Sequence, residues 1–234
     1  MKKIAIMQPY FFPYIGYFQL INSVDEFVIY DNIQFTKKGW INRNRILLNE
    51  KDEYISIPLK KDSDFLNVNQ RLLSDTWKVD RKKMLNKIME SYRKAPQFEL
   101  AYPLFEKCLM IEETNLFDFI NNSIKETLQY LSITSTMTLS SSIHIDHQLK
   151  SEEKVLAICR AQKASTYINP SGGIELYSKE RFEHNGIKLQ FQKSNPLNYV
   201  QYKNEFLPWL SILDVMMFNT KEEIKSFLND YQLI

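Results

Sequence analysis

The 234-residue chain is short of glycine, cysteine and histidine, and each shortage narrows what it can be. Its five glycines, Gly16, Gly39, Gly172, Gly173 and Gly186, fall at expected turns or element ends, where a missing β-carbon frees the backbone or admits a ligand. The only cysteines, Cys108 and Cys159, lie on helical apolar patterns that turn them inward. They read as buried free thiols of a reducing compartment, not as a disulfide, a nucleophile or metal ligands. No apolar run approaches the ~18 residues of a membrane span. The basic start Met1-Lys2-Lys3 leads into an apolar stretch cut by Gln8 and Pro9. With no small-residue cleavage site, that stretch reads as a strand and not a signal peptide, so the cytoplasm is the expected compartment. A net charge of +2 gives no argument for nucleic acid or an acidic membrane. Internal repeats and low-complexity segments are absent.

What remains is an ordinary globular composition, 44% hydrophobic and 25% charged, enriched to 13% in aromatics. Its length suits one α/β domain over residues 1–234. The first stretch sets the pattern. An apolar run Ile4 to Met7 breaks at Pro9 into an aromatic loop, recovers as a helix through Phe18, Leu20 and Ile21, and is followed by the strand Phe27-Val28-Ile29-Tyr30. Strand, turn, helix and strand open a parallel sheet. Two alternating runs, Gly39 to Leu47 and Tyr54 to Pro58, read as strands joined by a turn at 49–52. Lys60 to Asn69 reads as a mobile loop, a candidate lid. A helical insertion covers about 76–131. Strand character returns at Thr136 to Leu139, Thr166 to Asn169 and Ile187 to Phe191, with a helix from Ser151 to Gln162. Two helical patterns, Phe206 to Phe218 and Lys221 to Tyr231, close the chain. The expected fold class is therefore a Rossmann-like, mostly parallel α/β sheet with a central helical insertion.

Ligands of such sheets sit at the carboxyl ends of the strands, which here carry Gln8, Asp31, Asn32 and Asn169. Asp31 is a candidate base or sugar ligand, or a turn residue that caps its own backbone. In Asn42-Arg43-Asn44-Arg45 the alternation puts both arginines on one face. They suit a diphosphate or form a surface salt-bridge ladder, and Asn42 joins them as a binding candidate. His144-Ile145-Asp146-His147 has no partner cluster for a metal, which leaves His144 as a loop residue or a general base oriented by Asp146. Asn169-Pro170-Ser171-Gly172-Gly173 precedes a helix and either offers backbone amides to an anion, with Ser171 and Gly172 as contacts, or is a plain turn. Ser211 and Asp214 lie three apart and either line a pocket or satisfy helix ends. Pro13-Tyr14-Ile15-Gly16-Tyr17 resembles the His-x-Gly-His signature of the nucleotidylyl transferase superfamily, with Tyr14 and Tyr17 in the histidine places. That resemblance implies hydrogen-bond donors near nucleotide phosphates.

Gln8-Pro9 with Phe12 to Phe18, then Phe27 to Phe35, then Gly39 to Ile46, strongly resemble the WbqC-like family, and Tyr167 to Pro170, Gly172-Gly173 and Leu210 to Asp214 look like its carboxyl-terminal blocks. The resemblance implies a bacterial surface-polysaccharide enzyme, of O-antigen synthesis in particular, that acts on a nucleotide-linked sugar. Three functions follow as expectations. The first is transfer of an acyl or aminoacyl group to the amine of a nucleotide-linked amino sugar. In it Asp31 or His144 takes the proton, Arg43 and Arg45 hold the diphosphate, and Gln8, Asn32 and Tyr14 grip sugar or donor. The second is an ATP-dependent ligase or nucleotidylyl transferase that forms an adenylate. The third is a non-catalytic partner of a sugar-modifying complex. The co-substrate expected is an acyl donor or ATP; neither nucleic acid nor a membrane span is expected, and a homodimer is compatible with all three.

Overall fold

A computed structural model of the chain describes residues 1–203 and 205–234. In chain order the regular elements are β1 (Lys3–Met7), α1 (Ile15–Asn22), β2 (Glu26–Ile29), β3 (Arg43–Leu48), β4 (Lys51–Ser56), α2 (Trp77–Tyr92), α3 (Phe98–Met110), α4 (Leu116–Leu131), β5 (Thr136–Leu139), α5 (Ser151–Ala161), β6 (Thr166–Pro170), α6 (Lys179–His184), β7 (Lys188–Ser194), α7 (Ile212–Phe218), α8 (Lys221–Phe227) and β8 (Tyr231–Leu233). Six strands form one sheet in the order β5-β2-β1-β6-β7-β8, parallel except for β8. The class is thus the mostly parallel α/β sheet that the alternating pattern predicts. The order runs outward in both directions from the β1/β6 boundary, where parallel sheets place their ligands.

Strand side chains alternate between two cores, as a pleat requires. Ala5, Phe27, Ile29 and Ile168 face α1 and the helical segment, while Ile4, Ile6, Val28, Tyr167, Leu189 and Phe191 meet Val155, Ile158, Cys159 and Phe182 of α5 and α6. Helices thus cover both faces, which is why these strands read as near-continuous apolar runs. Cys108 and Cys159 are buried free thiols, and burial pushes both up to about 12.

Four details depart from the sequence reading. The alternating runs after β2 form a separate hairpin, β3–β4, outside the main sheet. Its turn is the pair Asn49 and Glu50, both at positive φ (50° and 64°), as a two-residue hairpin turn matched to strand twist requires. Residues 60–69 are pinned rather than a free lid, because buried Arg71 donates to the carbonyls of Ser63 (3.0 Å) and Lys60 (3.1 Å). The helix expected from Phe206 begins only at Ile212, since Pro208 and a Trp209 at φ 62° break the chain before the Ser211 cap. Finally, Tyr231–Leu233 is an antiparallel edge strand, not a helix end.

One carboxylate joins several of these parts. Asp214, in the first turn of α7, is fully buried and accepts hydrogen bonds from the hydroxyls of Tyr92 (3.0 Å) and Tyr199 (2.6 Å) and from Gln201 Nε2 (2.6 Å). Tyr92 Oη in turn accepts from Leu47 N of β3 at 2.9 Å. Burial outweighs the three donors and raises Asp214 to about 6. The native state therefore holds this proton more tightly than the unfolded chain, where Asp titrates at about 3.9. The resulting stabilisation is full below about pH 4 and is lost as pH rises through about 6. In urea unfolding, the wild type should lose about 2 kcal/mol relative to Asp214→Asn between about pH 4.5 and about pH 7.5. Parallel pH profiles would contradict this.

Candidate functional site

The site is built on an aromatic loop that the core holds by its carbonyls. Residues 8–14 join β1 to α1 and contain two prolines, so the loop has few amides of its own to offer. Phe11 and Phe12 are buried, and Phe12 adopts a positive φ of 39°. Buried carbonyls need donors, and these come from distant segments. Asn44 Nδ2 donates to the carbonyls of Phe11 (3.1 Å) and Phe12 (2.8 Å), and Ser211 Oγ also donates to Phe12 O (2.7 Å). Ile212 N donates to Pro13 O at 2.9 Å, and Phe11 N donates to Ile41 O at 3.0 Å. Tyr17 Oη donates to Gln8 O at 3.0 Å.

Next to this loop the sheet opens. β1 pairs with β6 only at Lys3↔Thr166 and Ile4↔Tyr167, while β1 stays paired to β2 as far as Met7↔Ile29 and β6 to β7 as far as Pro170↔Gln192. A cleft of about 510 Å³ lies at this edge, lined by Tyr14, Gly16, Ser171, Gly172, Lys193, Ser194 and Trp209 among others. Gly16 is required by close approach. A β-carbon there would stand 2.3 Å from the Tyr14 ring and 2.7 Å from Ser194 Oγ. The Tyr14 ring therefore lies over the start of α1. A smaller compartment of about 170 Å³ shares Tyr14 and Trp209 with the cleft and is completed by Tyr10, Trp40, Asn44 and Arg45. Burial raises the Tyr10 hydroxyl to about 12, with Tyr14 adding to the shift, so it remains a neutral donor.

Beyond β1, the end of β2 carries a polar cluster. Asp31 is buried; its Oδ1 accepts from Ser140 Oγ (2.9 Å) and Ser141 N (2.9 Å), and its Oδ2 accepts from Asn69 Nδ2 (3.0 Å). Asn32 Oδ1 accepts from Ser140 Oγ (2.6 Å) and Lys154 Nζ (3.4 Å), and its Nδ2 meets His147 Nδ1 at 3.0 Å. The one Ser140 hydroxyl proton is shared between Asp31 and Asn32; with Asn32 Oδ1 turned to Lys154, Nδ2 donates to His147 Nδ1 and the Nε2 of a neutral ring carries the proton. Lys154, on α5, is only 4% exposed, and its Nζ sits 4.8 Å over the Tyr30 ring. Burial lowers its pKa, against the opposing pull of Asp31.

Several candidates read from the sequence therefore stand elsewhere than expected. Tyr17 faces the core and its hydroxyl is committed to Gln8, so it is not in the cleft. Asp31 has both oxygens engaged and acts as a fastener of the neighbouring loops. His147, not His144, is the histidine that meets Asn32; His144 is exposed on the same loop. Asn42 Nδ2 donates to Ile57 O at 2.9 Å. Arg43 and Arg45 do share a face, yet Arg43 donates to the carbonyls of Gly39 (3.0 Å) and Lys38 and stacks on Tyr54. Arg45 pairs with Asp52 at 3.0 Å and reaches the smaller compartment. Asn169 accepts from Tyr167 Oη (2.9 Å) and donates to Pro170 O (3.0 Å), which leaves Ser171 and Gly172 on the cleft wall. Gln8 is part-buried at the end of β1, and Tyr14 and Asn32 lie at the carboxyl edge as expected. Lys154, Trp40 and Trp209 are not among the sequence candidates, and His147 is one only as part of the His144-Ile145-Asp146-His147 cluster. The signal for Lys154 was its phase, four residues before Ile158 on the buried stripe of α5.

Replacing Asn44 by Asp turns the donor into an acceptor facing two buried carbonyls. Asn44→Asp should destabilise the protein by about 3 kcal/mol in urea unfolding at neutral pH. A loss under about 1 kcal/mol would show that the loop does not depend on this amide.

The sequence profile described as the WbqC-like protein family matches residues 8–226. The uncharacterized protein Rv1507c of Mycobacterium tuberculosis is 30% identical over 234 residues, 97% of this chain and 98% of that protein. No solved structure matches the chain.

Proposed function

The chain belongs to the WbqC-like protein family, and on that premise we propose that it is a cytoplasmic enzyme of bacterial surface-polysaccharide (O-antigen) synthesis. Its reaction is transfer of an acyl or aminoacyl group to the amine of a nucleotide-linked amino sugar. The observation that carries this reading is the cleft between the segments that follow β1 and β6, lined by Tyr14 and Gly16 on one side and Ser171 and Gly172 on the other. At about 510 Å³ it falls within the size range of small-molecule sites, and exposed Lys193 supplies a cation for a diphosphate. Two strand spacings, roughly 10 Å, separate β6 from β2, a distance an extended nucleotide-sugar covers. The sugar amine would then reach the cluster of Asn32, His147 and Lys154.

In that arrangement the amine nitrogen attacks the acyl carbonyl carbon, the new N–C bond forms, and the bond to the donor's leaving group breaks. His147 Nε2–H donates to the carbonyl oxygen as charge develops on it. Lys154, whose pKa burial lowers against the pull of Asp31, takes the amine proton. Asp31 keeps Ser140 and the following loop in place. Adenylate formation is less well supported, because the Tyr14 ring occupies the space over Gly16 that a phosphate at the start of α1 would need.

Turnover of UDP- and dTDP-linked amino sugars with acyl and aminoacyl donors tests the reading. His147→Gln and Lys154→Met should each lower kcat by about 10²- to 10⁴-fold. Calorimetric affinity for the sugar nucleotide should stay close to wild type in both. Pyrophosphate exchange with ATP in place of acyl transfer would favour the adenylate route instead.

A further inference from the structure

We propose that the smaller aromatic compartment binds the planar nucleobase of a nucleotide, a proposal that rests on the reading of the substrate as nucleotide-linked. Two tryptophans border it in an unusual state: Trp40 is 39% exposed and Trp209 56% exposed. Side chains of this size normally gain free energy by burial, so exposed ones at a concave surface point to a ligand. Trp209 also holds a φ of 62°, a sparsely populated conformation for a bulky residue that persists only where the surroundings enforce it.

The surroundings do enforce it. Arg45 donates through Nη2 to Trp209 O at 3.3 Å and through Nη1 to Asp52 at 3.0 Å, while its guanidinium lies 5.6 Å from the Trp40 ring. Trp40 stacks at 6.3 Å on Tyr54, whose ring also carries the Arg43 guanidinium at 4.8 Å. Tyr14 meets Trp209 edge-on at 5.9 Å. The compartment is therefore walled by π-faces and one guanidinium whose positions are set before any ligand arrives, and among the described residues no carboxylate lines it.

Its chemistry favours a flat ring over a sugar. A sugar needs several polar partners for its hydroxyls, yet the Asn44 side chain is already committed, its Nδ2 to Phe11 and Phe12 and its Oδ1 to Arg45 N at 2.8 Å. Stacking on aromatic and guanidinium faces suits every base. The shared wall of Tyr14 and Trp209 then directs the attached phosphates into the larger cleft, toward Lys193.

Tryptophan fluorescence tests this directly, because the remaining tryptophan, Trp77, is buried against Phe119. Titration with UMP, dTMP, AMP and a UDP-sugar should quench the wild type saturably, and Trp77→Phe should keep the quench. Calorimetry on Trp40→Ala and Trp209→Ala should show affinity for the best nucleotide reduced about 10-fold or more, with thermal melting confirming that both variants fold. A preference for UMP or dTMP would assign the base to a sugar nucleotide, and a preference for AMP to an adenine co-substrate. The proposal is overturned if no nucleotide quenches, if glucosamine alone quenches equally well, or if a UDP-sugar binds both alanine variants as tightly as wild type. That last outcome leaves the acyl-transfer reading standing. Conversely, weakened nucleotide binding in the variants without any acyl transfer upholds the base compartment and removes that reading.

Discussion

Everything at the carboxyl edge of the sheet depends on how the carbonyls of residues 8–14 find donors inside the protein. A loop with two prolines cannot satisfy itself, and this one drives Phe11 and Phe12 into the core with their carbonyls beside them. Buried carbonyls without partners would each cost about 1–3 kcal/mol. Asn44, Ser211, Ile212 and Tyr17 remove that penalty, and they come from the hairpin, the start of α7 and α1. Segments far apart in sequence thus serve one short piece of backbone.

That bracing decides which aromatics are available for chemistry. With Phe11 and Phe12 committed inward, Tyr10 and Tyr14 are left beside the smaller compartment, where Arg45 and the two exposed tryptophans complete the wall. Asp214 secures the same assembly from behind, since its three donors connect α2, α7 and residues 199–201, and Tyr92 passes the connection on to β3. Several polar residues that the sequence offers as site candidates hold backbone or a neighbouring loop, Asn42, Asp31, Tyr17, Ser211 and Asp214 among them, as does Asn44.

Much of the architecture was legible in the residues. Short apolar runs separated by helical stripes located the five parallel strands and the three helices between Trp77 and Leu131, because strands covered on both faces and long helices leave strong patterns. The short edge strand β8 was not legible, since three residues carry no period. Trp209 defeated the helix reading through a backbone conformation that composition does not reveal. For the candidate site, strand ends pointed to the carboxyl edge of the sheet, where Ser171, Gly172, Tyr14 and Asn32 lie. What sequence could not decide was direction. Whether Asp31 faces solvent or Ser140, and whether His144 or His147 turns toward Asn32, is fixed by contacts between segments more than a hundred residues apart.

The brief pairing of β1 with β6 has a mechanical meaning. The short ladder divides the sheet into two halves, β5-β2-β1 and β6-β7-β8, with a seam between them that both apolar cores cross. The seam is crossed from one side by α1, whose Gly16 carbonyl accepts from Gln192 at 3.3 Å and whose Gln19 accepts from Ser194 at 2.6 Å and donates to Phe227 O at 2.7 Å. Helix α1 is in effect a strap across the fold line. Any rotation of one half against the other would have to disturb these polar contacts as well as the apolar packing that crosses the seam on both faces.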